Sequence, residues 1–89
     1  MNIEQIKALI DKIDDNWQQF DRNVSHIHGE ALDNAAASCK ENKEEIHNGA
    51  HYSDDFYFHY FGSLETILAC CDFVTQEGRK FFEEEGVKY

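Results

Sequence analysis

The chain of 89 residues contains no proline, one tryptophan, one methionine, and only eight lysines and arginines against eighteen aspartates and glutamates. Without proline, no position forbids a helical N–H bond, and neither an internal repeat nor a low-complexity tract argues against a packed domain. No run approaches the ~18 apolar residues of a membrane-crossing helix, and Met1 to Gln5 have neither the basic nor the apolar part of a signal segment. The expectation is a cytoplasmic protein with no membrane association. Scarce cations leave a formal net charge of -10, which repels phosphate backbones and anionic headgroups, so direct nucleic-acid binding is not expected. Cys39, Cys70 and Cys71 are odd in number and two are adjacent, which does not suit a disulfide framework; they read as reduced, partly buried thiols.

Chemistry-bearing patterns are equally sparse. There is no glycine-rich phosphate cradle and no strained nucleophile turn. Asp14-Asp15 and Glu83-Glu84-Glu85 are expected on solvent faces, without the burial that paired carboxylates need for acid–base work. Of five histidines, His47 and His51 have helical i,i+4 spacing, but Asn48-Gly49 stands between them. Cys70-Cys71 lacks the spacer of a zinc pair. No metal site, cofactor or catalytic residue is assigned, and the protein is not expected to be an enzyme.

What is present is helical periodicity. Ile3, Ile6, Ile10, Ile13, Trp17, Phe20, Val24 and Ile27 keep a 3,4,3,4 spacing, which predicts a long amphipathic helix over about 2–28. Its far face carries Glu4, Asp11, Lys12, Asp15, Gln18 and Arg22. Aromatic residues in the seam favour a bundle over a zipper, with Ile13, Trp17 and Phe20 in the core. Gly29 is expected to break this helix. A second, over about 30–48, places Leu32, Ala35, Cys39 and Ile46 on one side and ends at Asn48-Gly49. Ser53 caps a third stretch over about 53–85, with Asp54 and Asp55 suiting its dipole. Phe56, Tyr60, Leu64, Ile67, Cys71, Val74 and Phe81 run along it. Gly62-Ser63 leaves open one helix or two, and Gly86 ends the run. The fold class expected is a single all-α domain, residues 1–89, forming a small bundle of three to four helices.

Residues 52–61 hold six of the twelve aromatic side chains. As a helix this segment is apolar all round, more than one small core can cover, so Phe56, Tyr57, Phe58, His59, Tyr60 and Phe61 are candidate interface or ligand residues. The same run has strand propensity, but no second strand signal accompanies it. A homo-oligomer, with a dimer favoured, follows from the excess aromatic surface. The charge points to a basic protein partner, with Asp11, Asp14, Asp15, Glu41, Glu44 and Glu45 as the candidate acidic face. The function expected is therefore non-catalytic binding through protein contact, in its most concrete form inhibition of a nucleic-acid-binding protein by occupying its basic surface. The alternative is a homo-oligomer that stacks a small planar ligand, such as a nucleotide, on the aromatic segment. Buried at such an interface, His59 would make assembly respond to pH.

Overall fold

The computed structural model describes residues 2–39 and 54–87, all of them helix or short connection with no strand among them. Helix α1 spans Ile3–Asp15, α2 Arg22–Cys39, α3 Asp54–Cys70 and α4 Gln76–Glu84; a single 3-10 turn, Trp17–Gln19, joins α1 to α2. The bundle is the small all-α architecture that the periodicity predicts. The expected helices over about 30–48 and from residue 53 extend partly outside the described residues, as do Ile46, Asn48-Gly49 and Ser53.

The continuous helix expected over 2–28 is two helices. Asn2 opens α1 with a reciprocal capping box: its side chain accepts from Gln5 N–H, and the Gln5 side chain accepts from Asn2 N–H, both at 2.9 Å. Asn16 closes it, donating from its side chain to the Lys12 carbonyl at 3.0 Å while its N–H reaches Ile13. Asp21 then restarts the chain, its carboxylate accepting from Asn23 N–H at 2.7 Å in the manner of an N-cap. The apolar stripe survives because both helices aim it at one core. Ile6, Ile10, Ile13, Val24 and Ile27 are all buried, and Ile3 and Phe20 pack against them. The Trp17 side chain lies outside the described set. Gly29 does not break anything: it sits inside α2.

The stretch from residue 54 divides as well, at residues 71–75 and not at Gly62-Ser63, which lie within α3. Thr75 is the N-cap of α4, accepting from Gly78 N–H at 3.2 Å. The Arg79 guanidinium donates to the Leu68 carbonyl, satisfying an acceptor at the α3 C-terminus. Asn23, on α2, holds this corner from across the bundle. Its side-chain nitrogen donates to the Phe73 carbonyl at 2.9 Å, and its oxygen accepts from Thr75 N–H at 2.9 Å and the Thr75 hydroxyl at 3.1 Å.

Gly78 makes that contact possible, because a Cβ there would stand 2.4 Å from the Asn23 side-chain oxygen. Replacing Gly78 by alanine gains helix propensity but displaces an oxygen held by two donors. A net loss of about 1–2 kcal/mol in urea unfolding is expected. A variant as stable as the parent would show that the α2–α4 approach is not tight.

The far end of α4 closes as expected at Gly86, whose φ of +95° suits glycine. Val87 N–H bonds the Phe82 carbonyl at 2.9 Å and Gly86 N–H the Glu83 carbonyl at 3.1 Å, which together form a Schellman motif. Its apolar pair is Phe82 and Val87, both in the core. Phe82 is the fully buried ring of α4 and Phe81 only partly so, the reverse of the periodic assignment; Phe81 instead lies edge-on to Phe20 at 4.8 Å.

Candidate functional site

The aromatic segment is the first half of α3, and helical geometry divides it. Phe56 and Tyr60 are fully buried and Tyr57 is nearly so, all within the core cluster; Phe61 packs against that cluster from its edge. Phe58 and His59 face outward, Phe58 with 53% of its surface exposed. Three of the six candidate interface or ligand residues are thus core residues of the protomer. The ammonium of Lys7 lies 5.3 Å from the Tyr57 ring centroid, over its face.

The candidate acidic face divides too. Asp11 and Asp15 are exposed on α1, whereas Asp14 turns inward; Glu41, Glu44 and Glu45 lie outside the described residues. Asp14 meets His28, the buried polar residue of the core. His28 Nε2 is 2.8 Å from the Asp14 carboxylate, and Nδ1 is 2.6 Å from the Tyr60 hydroxyl. An ionised carboxylate only accepts, so Nε2 carries the hydrogen toward Asp14. In the neutral ring Nδ1 is then the acceptor, and the Tyr60 hydroxyl donates to it.

This chain joins α1, α2 and α3 through their interior. It has the Asp–His–hydroxyl order of a proton relay, set in the interior: His28 is 5% exposed and Tyr60 0%. Its role is to let three helices share polar groups inside an apolar core at the cost of fixing their register. Nothing in the sequence announces it, since positions 14, 28 and 60 belong to three different helices. The one available signal is that His28 directly follows the buried Ile27 on a helix whose neighbouring turn faces the core.

Outside this core, α2 and α3 leave a groove between them that is lined by Asn34, Ala37 and Ser38 from α2 and by Phe58, His59, Gly62, Ser63, Thr66 and Ile67 from α3. Here the two outward residues of the aromatic segment meet the small-residue stretch of α2. Cys70 is exposed, and Cys39 and Cys71 are half-buried, none of them joined in a disulfide. Among the described residues no group of three or more His, Cys, Asp or Glu side chains is placed to hold a metal ion. None of their helices is long and apolar enough to cross a membrane.

The fold and its surface define a small acidic helical bundle with a polar staple inside and, outside, a groove whose lining holds no carboxylate, lysine or arginine. No protein-family model, curated protein or solved structure matches the chain.

Proposed function

We propose that the protein works without catalysis, as an acidic helical module that docks on the basic surface of another protein, such as a nucleic-acid-binding protein whose activity it blocks. The observation that supports this reading is the distribution of carboxylates. Asp11 and Asp15 on α1, Glu30 and Asp33 on α2, Asp54 and Asp55 on α3, and Glu77 and Glu84 on α4 are all exposed. Lys7 lies 4.0 Å from Glu4, and Lys12 bonds Glu85. A field of one sign spread over every helix attracts a cationic partner and accelerates its association.

The reading as a homo-oligomer that stacks a planar ligand has less support. Phe56, Tyr57 and Tyr60 are committed to the protomer core, which leaves Phe58 and His59 as the outward part of the segment.

Salt dependence tests the electrostatic reading. Immobilised protein should capture a basic protein from a lysate and release it as salt rises from about 50 to 500 mM, over which screening shortens from roughly 14 to 4 Å. Exchanging Asp11 and Asp15 for lysine should weaken that capture several-fold. Affinity unchanged by salt and by the exchange would sink the proposal.

A further inference from the structure

The groove between α2 and α3 has a volume of about 530 Å³, and none of its lining residues carries a carboxylate, ammonium or guanidinium. On a chain of which 29% is Asp, Glu, Lys or Arg, a stretch lined by none of them stands apart. Gly62, in its lining, adds a second observation. A glycine inside a helix costs about 0.5–1 kcal/mol relative to alanine, so its presence asks for a close neighbour or a special dihedral. Gly62 has neither among the described residues: a Cβ there would meet nothing of theirs within 4 Å, and its φ is not positive. Gly29 is equally open, but it does not line the groove. Beside Gly62, one turn away, stands Phe58, half exposed.

The occupant follows from the charge at the ends of the groove. Glu30 and Asp33 precede the lining residues Asn34 and Ala37 by four positions; Asp54 and Asp55 precede Phe58 and His59 by four. Each exposed carboxylate therefore lies one turn along the same helix face as the lining. The only lysine or arginine on α2 and α3 is Arg22, at the very start of α2. A second copy of this chain would bring the same carboxylates, and another charge of -10, against these four. We propose that the groove receives a cationic amphipathic helix, with its apolar side chains over Phe58 and Gly62 and its lysines or arginines reaching the flanking carboxylates. This rests on the cationic-partner reading above and gives that partner a shape and a landing place.

The test uses a labelled peptide of leucine and lysine, about 18 residues or roughly 27 Å as a helix, with all its leucines on one face. A scrambled peptide of equal charge has no such face. Fluorescence anisotropy should show the amphipathic peptide binding at least about tenfold more tightly than the scrambled one. Gly62→Leu projects into the groove from a position whose Cβ meets no described atom within 4 Å, so it should weaken binding by about tenfold while melting at or above the parent temperature. Phe58→Ala, on the surface, should weaken binding by about fivefold. Equal binding of the two peptides, or of parent and Gly62→Leu, would overturn the proposal. So would a dimer, seen by light scattering, that Phe58→Ala converts to monomer, because the groove would then belong to a second copy. Lysate capture that stays sensitive to salt and to the Asp11/Asp15 exchange but ignores Gly62→Leu would also overturn it, while leaving the cationic-partner reading in place.

Discussion

Exchanging His28 for alanine is expected to lower the free energy of unfolding by about 3 kcal/mol or more, a large share of the ~5–15 kcal/mol that holds a domain together. The imidazole is 5% exposed and spends both nitrogens on partners, so its removal opens a cavity and strips Asp14 of a donor and Tyr60 of an acceptor. Losing a partner for a buried polar group costs about 1–3 kcal/mol, and the cavity adds to that. The two effects can be separated. Tyr60→Phe keeps the ring and removes only the hydroxyl, so it should cost about 1–2 kcal/mol. His28→Leu combined with Tyr60→Phe replaces both members of that bond with apolar groups, and the pair should be more stable than the two single losses predict. Urea unfolding followed by circular dichroism reads the parent, His28→Ala and the three variants of the cycle, His28→Leu, Tyr60→Phe and the pair. Strict additivity would mean that the hydroxyl–imidazole bond contributes nothing of its own.

Phe82→Ala should cost about 3–5 kcal/mol, as full truncation of a buried aromatic ring does. Phe82 is 0% exposed and joins α4 to the core together with Val87, which is 1% exposed. Its neighbour supplies the control. Phe81 is half-buried, with its ring against Phe20 and under the Lys12 ammonium at 5.9 Å from the centroid, so Phe81→Ala should cost less than half as much. The same unfolding measurement checks both. Equal losses would place the two rings equally deep and would contradict the register of α4.

That register marks a limit of periodicity. The spacing from Phe56 through Val74 points to Phe81, but the chain leaves helix α3 at Cys71 and re-enters one at Gln76, so the phase is reset and the next residue turns inward. The break between α1 and α2 was hidden for the opposite reason. There the interruption keeps the apolar stripe in step, and its signals were local polar ones: Asn16 bonding back to Lys12 and Asp21 bonding forward to Asn23. Gly29 and Gly62 drew attention as breakers, yet neither ends a helix, because single glycines cost propensity without forbidding helical dihedrals.

The all-helical class and most of the core were legible because 3,4 spacing records burial directly. The division of residues 56–61 was legible only in part: a helix apolar all round must hide some rings, but which ones depends on where α2 lies. Asn23, a corner of the fold, reads in the sequence as an ordinary surface amide. Its importance arises from backbone groups some fifty positions later, at Phe73 and Thr75.

The Asp14–His28–Tyr60 chain also bears on how the molecule moves. Detaching α1, α2 or α3 breaks at least one of its two bonds, so none of the three can peel away while the polar interior stays matched. Helix α4 has no member in that chain and is held by Asn23, Arg79 and its own apolar anchors. Hydrogen exchange is therefore expected to show α1, α2 and α3 opening together and α4 opening before them.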